Sequence, residues 1–290
     1  MNRPSTWLLE YQRNIYSQSG EDGIIEKILE ILPENDKWCV EFGAWDGIHG
    51  SNTRNLIESK GYSSVQIEVN KNKFRQLQRN YSHRDDVITI NQCVGFTKDD
   101  NLDQILSTTS IPIDFDLLSI DIDGNDYHVW KAIMKFRPKV VVTEFNPTIP
   151  TQVRFVQSPD PSVNHGASLL SFFELSKEKG YELISVLPSN AFFIRQEYYP
   201  RFQIESNVPD VLRTDLDVVT YLFSGYDGTI FLHGSCKLPW HRITMNESRV
   251  QQIPRFLRTY PGKYTRLQHW VFKLYKLIME PSEFTKKILA

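Results

Sequence analysis

Three aspartates and an asparagine fall within the six positions 121–126 of the segment LLSIDIDGNDYHVW (117–130), directly after an apolar run. A tight turn accounts for Gly124 and Asn125, because Asn, Asp and Gly tolerate left-handed backbone. It does not account for Asp121 and Asp123, which stand one strand period apart and leave a strand on the same side. A second apolar run, VVVTEFN, ends in Glu144 and Asn146. Carboxylate and amide oxygens are the ligands that magnesium or manganese prefers, and an ion held by Asp121, Asp123, Glu144 and Asn146 would lower the pKa of an acceptor hydroxyl. The competing reading is turn chemistry. In it Asp123–Asp126 form a turn that caps a helix at 127, Asp121 alone orients ligands, and Glu144 pairs with a cation. Two residues besides Asp121 are candidates for proton transfer: His165, in the loop VNHGAS, and His128, inside the helix that follows the aspartates.

A second constellation lies upstream. The segment VEFGAWDGIHGSNT (40–53) holds Glu41, Gly43, Ala44, Asp46 and Gly47 at the exit of a strand, and Glu68 follows 21 residues beyond Gly47 at the end of the next strand. Glycine at such a turn lets backbone approach a ligand. A carboxylate at the second strand end is placed to accept from ribose hydroxyls. A dinucleotide fingerprint would read G-x-G-x-x-G. Here Trp45 replaces the second glycine, and Glu41 and Asp46 flank the turn. Such a loop suits a ligand carrying ammonium and sulfonium groups, S-adenosylmethionine, better than one carrying a pyrophosphate.

The elements that must position these residues alternate. Strands are expected at 38–44, 63–69, 87–96, 114–123 and 138–146, with helices at 23–32, 51–61, 70–81 and 126–136. Crossover connections of this kind imply a doubly wound, Rossmann-like α/β sheet of parallel strands. After a long loop (147–165) and a helix at 168–180, two strands at 181–187 and 190–195 are joined only by Pro188 and Ser189, which implies an antiparallel hairpin. This is the sheet of class I methyltransferases. The expected organisation is an N-terminal segment and helix covering the cofactor site (1–35), a methyltransferase domain (36–200) and a C-terminal extension (201–290). In the extension, YTRLQHWVFKLYKLIM (264–279) puts Leu267, Trp270, Val271, Leu274, Leu277 and Ile278 on one helical face. The favoured role of that helix is docking on the catalytic domain or on a second copy in a homo-oligomer, with a membrane-surface helix as the minority reading.

The 33 basic and 35 acidic residues give a formal charge of −2, which offers no bulk attraction to nucleic acid. Cys39, Cys93 and Cys236 are widely separated, against both a disulfide framework and a structural zinc site. No run is long and apolar enough to span a membrane and no cleavable leader is evident, so a cytoplasmic location is expected.

Taken together, YSQSGEDGIIEKIL, VEFGAWDG, LLSIDIDGNDYHVWKAI, VVVTEFNP and NAFFIR resemble FkbM-type S-adenosylmethionine-dependent O-methyltransferases, in particular the bacterial subset of surface-polysaccharide gene clusters. The resemblance covers roughly residues 11–200. It departs from the pattern at Trp45, where such enzymes usually carry glycine. It implies that the Glu41–Gly47 loop lies against the methionine moiety, Glu68 binds ribose, Cys93 and Val94 border adenine, and Asp121 stands beside the transferable methyl. It also implies an acceptor hydroxyl on a sugar or sugar-linked group. The acidic strand ends resemble those of catechol O-methyltransferase and of metal-dependent macrolide-sugar O-methyltransferases. The stretch SQSGEDG (17–23) either folds over the cofactor or simply caps the first helix through Ser19 or Asp22. Two other classes compete: a glycosyltransferase using Asp121-x-Asp123 to hold a metal and a sugar nucleotide, and a non-catalytic nucleotide-binding module.

Overall fold

Hydrophobic alternation along five short strands builds the central layer of this protein. The computed structural model describes residues 3–280. Strands β1 (Trp38–Phe42), β2 (Ser63–Ile67), β3 (Val87–Ile90), β4 (Leu117–Ile120) and β5 (Val140–Glu144) are parallel, and β6 (Tyr181–Val186) and β7 (Asn190–Arg195) close one edge as an antiparallel pair. The order is β3-β2-β1-β4-β5-β7-β6. This is the expected mixed α/β sheet.

Each strand sends alternate residues to opposite faces. Val40, Phe42, Val65, Ile67, Leu118, Ile120 and Val141 meet helices α4 (Leu102–Leu106), α5 (Asp126–Ala132) and α6 (Leu169–Glu178) on one face. Cys39, Leu117, Val140, Val142, Phe192 and Ile194 face the other side, toward α1 (Glu21–Ile31), α2 (Arg54–Lys60) and α3 (Lys71–Asn80). Both faces are covered, as parallel strands require.

The structure departs from the expected elements in several places: β3 ends at Ile90 instead of 96, and β4 covers 117–120 instead of 114–123. Helix α4, capped by the Asn101 side chain, was not evident from the sequence. Helix α5 ends at Ala132 instead of 136, because the buried Asp103 carboxylate accepts from the backbone N–H groups of Met134, Lys135 and Phe136 at 2.6–3.1 Å and draws them out of the helical ladder. The strand ends opposite the candidate site are clamped by Asp116, fully buried. It accepts from the amides of Asp36 and Lys37 and pairs with Lys139 at 2.9 Å.

The chain divides into two units at Leu216 and Asp217. Residues 201–216 thus fall with the sheet: Arg3 bridges to Ile204, Asp210 accepts from Gln152 at 2.7 Å, and the Arg213 guanidinium donates to the Ile149 carbonyl at 2.7 Å. The helix α7 (Pro209–Leu212) lies in this stretch. The second unit carries a hairpin of β8 (Thr220–Ser224) and β9 (Ile230–Gly234), a short one of β10 (Lys237–Leu238) and β11 (Ile243–Thr244), and helices α8 (Glu247–Val250) and α9 (Arg266–Met279).

One position governs how closely β1 and β4 approach. Gly43 has φ +73°, and a β-carbon there would lie 1.6 Å from the Asp121 carbonyl oxygen. Gly43→Ala is therefore expected to destabilise the protein by about 2–4 kcal/mol, from strain plus displacement of the strand ends. Urea unfolding followed by far-ultraviolet circular dichroism checks this; an unshifted midpoint would contradict it.

Candidate active site

The carboxyl ends of β1, β2, β4 and β5 lie side by side, so their exit residues share one crevice. At the exit of β1 the chain turns sharply: Gly43, Trp45 and Gly47 all have positive φ. Glycine at 47 is required by α3, since a β-carbon would meet Leu77 and Tyr81 at 2.6 Å. Both glycines thus answer first to packing inside the protein, not to the approach of a ligand.

The acidic residues of this loop are also turned inward. Buried Glu41 accepts from the Ser51 hydroxyl at 2.6 Å, the Asn52 amide at 2.8 Å and the Thr53 hydroxyl at 2.7 Å. Burial pushes its pKa up, and those three donors pull it back only in part. Asp46 accepts from the amides of Ile48 and His49 and from His49 Nδ1 at 2.7 Å; burial acts to raise its pKa, but these donors outweigh it and hold the carboxyl below its usual range. The outer side of the loop instead carries Lys73, whose Nζ lies 4.1 Å from the centre of the half-exposed Trp45 ring. The expectation that Glu41 and Asp46 present negative charge to a ligand is therefore corrected: they fold the loop, and Ala44, buried in the core, helps anchor it.

Glu68 follows the last residue of β2 and is buried. Its Oε2 accepts from the Trp45 amide at 2.9 Å and its Oε1 from the Asn70 amide at 2.6 Å. Each carboxylate oxygen keeps a second lone pair, although the side chain is buried. Beyond β3, Val94 is buried against the core and Cys93 is exposed.

Across Gly43 from Glu68 lies the acidic group. Asp121, Asp123 and Glu144 each bring a carboxylate oxygen within 4.8 Å of the others. Asp121 is exposed toward the crevice, while the protein behind it desolvates the carboxyl group. That burial, with Glu144, Asp126, Asp123 and Glu41 as like charges, raises its pKa well above the ordinary value. Glu144 is raised to about 7 by burial and by Asp126 and Asp123, offset in part by a hydrogen bond with Asp121. Asp126 is buried and takes no place in the trio: it accepts from the amides of Ile122 (3.0 Å) and Gly124 (2.9 Å), which holds Asp123 at φ +55°. Asp126 makes the turn, and the turn presents Asp121 and Asp123 beside Glu144. Asn146 does not join them, because its Oδ1 accepts from the amide and the hydroxyl of Thr148 and its Nδ2 donates to the His165 carbonyl at 2.8 Å.

That last bond brings the loop after β5 to the crevice. Gln157 Oε1 accepts from the amides of His165 and Gly166, and Asn164 donates to the Asp123 carbonyl at 2.7 Å. His165 is exposed on this loop. His128 is structural: its Nε2 lies 2.8 Å from the Gln157 carbonyl and its ring packs on Phe96 and Tyr127.

Sequence reasoning offered Asp22 as a cap of the first helix and missed Glu21 and Asn190; the helix in fact follows Gly20 with no side-chain cap. One Asp22 oxygen accepts from the amides of Ile15, Tyr16 and Ser17 at 2.7–2.8 Å. Buried Glu21 accepts from the Ser19 amide and from Asn190, the first residue of β7 and the register partner of Glu144. The adjacent acids Glu21-Asp22 at a helix start were a signal, but one that first-turn capping explains equally well.

No family model matches the sequence, and a search of curated proteins finds no match. Among solved structures the chain is similar to the N-terminal domain of EvdMO1 with SAH bound (TM-score 0.40, 10% identity, 61% of this chain and 80% of that one). It is similar also to a SAM-dependent methyltransferase from Aquifex aeolicus (0.37, 9%, 65% and 96%) and to the CMeT domain of the citrinin polyketide synthase (0.42, 10%, 63% and 55%). At such identities and TM-scores the likeness carries no argument about this chain's chemistry.

The crowded carboxylates have a consequence for stability. Glu144, raised from 4.5 to about 7, keeps its proton in the folded protein over a range where the unfolded chain has lost it. Its contribution to stability therefore falls as pH rises from about 4.5 to about 7 and stays low above. In chelator-treated protein, Glu144→Gln should gain stability over wild type at about pH 8 but not at about pH 5, read from paired urea melts; equal differences at both values would contradict the assignment.

Proposed function

We propose that this protein is an S-adenosylmethionine-dependent O-methyltransferase acting on a hydroxyl of a sugar or sugar-linked group in surface-polysaccharide biosynthesis. The observation that supports it best is the pairing of Glu68 with Asp121 on either side of the Gly43 turn, at the carboxyl edge of a sheet ordered β3-β2-β1-β4-β5-β7-β6. The sugar acceptor rests on the motif resemblance alone.

When bound, S-adenosylmethionine supplies a sulfonium methyl for in-line transfer. The residues of the chain provide alignment and a route for the proton. Glu68, fixed by the Trp45 and Asn70 amides, receives the ribose hydroxyls. Cys93 and Val94 border the base, and the Ala44–Gly47 backbone faces the methionine end. Asp121, Asp123 and Glu144 would hold a magnesium or manganese ion, whose charge relieves their mutual repulsion and whose chemistry would be to acidify the acceptor hydroxyl. Without an ion, Asp121 and Glu144, both raised by burial and by neighbouring acids, and the exposed His165 are the candidate bases. The glycosyltransferase reading is less favoured, because it calls for phosphate-binding cations beside Asp121 and gives Glu68 no role, whereas the charges acting on Asp121 are the acids Glu144, Asp126, Asp123 and Glu41. The non-catalytic module predicts a protein indifferent to loss of Asp121.

Two measurements test the proposal. Glu68→Gln, which keeps the volume and one acceptor, should weaken S-adenosylmethionine binding in calorimetry roughly ten- to a hundredfold, the loss of about 1.5–3 kcal/mol expected for a charge-assisted hydrogen bond. Unchanged affinity in a folded variant would sink the ribose assignment. Methyl transfer to a sugar acceptor should fall on chelation and recover with magnesium or manganese, while cofactor affinity stays constant; full activity after chelation would remove the ion and leave Asp121, Glu144 and His165 as the candidate bases.

A further inference from the structure

The two units of the chain carry opposite charge. Residues 1–216 hold 22 Lys and Arg against 30 Asp and Glu, whereas residues 217–280 hold nine against four. The near-zero total thus hides an acidic sheet unit and a strongly basic C-terminal one.

Helix α9 gives that basic excess a direction. Its start is set by a capping box between Thr265 and Gln268. One side packs within its own unit: Gln268 donates to the Phe256 carbonyl at 2.9 Å, the Tyr275 hydroxyl donates to the Gln252 carbonyl, and Phe272 meets the Tyr264 ring. The neighbouring side is apolar and open. Leu267, Trp270, Leu274 and Ile278 are 71%, 63%, 42% and 75% exposed. At 100° per residue these four, spaced i, i+3, i+7 and i+11, form a single stripe. Arg266 and Lys273, both exposed, project next to the stripe on the edge away from the packed side. More exposed aromatics stand at the hairpin turns of the same unit, Tyr226 after β8 and Trp240 after β10.

We propose that the C-terminal unit binds an anionic membrane surface, with the Leu267–Ile278 stripe of α9 in the headgroup boundary and Arg266 and Lys273 on lipid phosphates. An apolar stripe bordered by cations, carrying tryptophan, is the pattern of a helix lying in the interface plane. No helix among the described residues is long and apolar enough to cross a membrane, so the contact is peripheral. A second copy is the weaker occupant, because an antiparallel two-fold contact through this face would set its basic edge against itself. The inference stands independently of the methyltransferase reading.

The test uses the full chain and co-sedimentation with vesicles of phosphatidylcholine, with or without phosphatidylglycerol. Pelleting is expected with the anionic vesicles, and it should decline as salt screens the contact. Ile278→Glu, at an exposed position where folding tolerates charge, should cut vesicle binding by about tenfold or more, and the double variant Arg266→Glu/Lys273→Glu should abolish the preference for anionic lipid. Far-ultraviolet circular dichroism and urea midpoints matching wild type establish that both variants are folded. Failure of wild type to pellet with anionic vesicles would overturn the proposal, as would variants that pellet like wild type. So would a chain that sediments as an oligomer, ignores vesicles and falls to monomer on Ile278→Glu, since a protein partner then covers the stripe.

Discussion

The close approach of the β1 and β4 exits at Gly43 is the contact on which the site depends. The turn residue lies so close to the Asp121 carbonyl that no side chain fits between them. That closeness fixes the backbone from which the Asp121 carboxyl projects, and it also sets where the next residues of the loop go. Trp45 is carried toward the end of β2, and its amide meets Glu68. Two acids from different strands are thus held to one frame by a steric constraint, with no direct bond between them.

The acids around Asp121 pull against the rest of the fold. Carboxyl groups brought within hydrogen-bonding reach of each other cost stability once they ionise, and a domain has only about 5–15 kcal/mol to lose. The structure offsets this by distributing the load unevenly. Asp126 accepts from two backbone amides and one oxygen of Asp22 from three, while Glu41 is held by two hydroxyls and an amide. Among the described residues, Asp121, Asp123 and Glu144 crowd together with their carboxylate oxygens within 4.8 Å of one another. Strain concentrated at three residues, among others that are well satisfied, is the pattern expected where function outweighs stability.

Much of the sheet was legible in the sequence because burial on both faces forces apolar runs of strand length, and the Pro188-Ser189 link permits only a hairpin. Asp121, Asp123, Glu144 and Glu68 were legible for the same reason, since strand ends can be counted. The orientation of loop side chains was not. Glu41 and Asp46 read as charges facing a ligand, yet donors supplied by Ser51, Thr53 and His49 turn them inward, and no period in the sequence encodes that choice. Asn146 failed as a ligand through Thr148, two residues away, in a local turn that competes with any long-range role. Helix α4 escaped notice because it is only five residues long, too short for an apolar period to declare itself.

Asn190 donates to Glu21 across 169 positions of chain. A contact of that span cannot form while the polypeptide is still being made, until β7 has left the ribosome. The earlier strands and helices can collapse as they emerge, but the N-terminal segment gains this anchor only after the hairpin has paired with β5. The crevice is therefore among the last parts of the sheet unit to mature. A newly made chain that stops short of residue 190 would hold its acidic strand ends with this side of the segment untied.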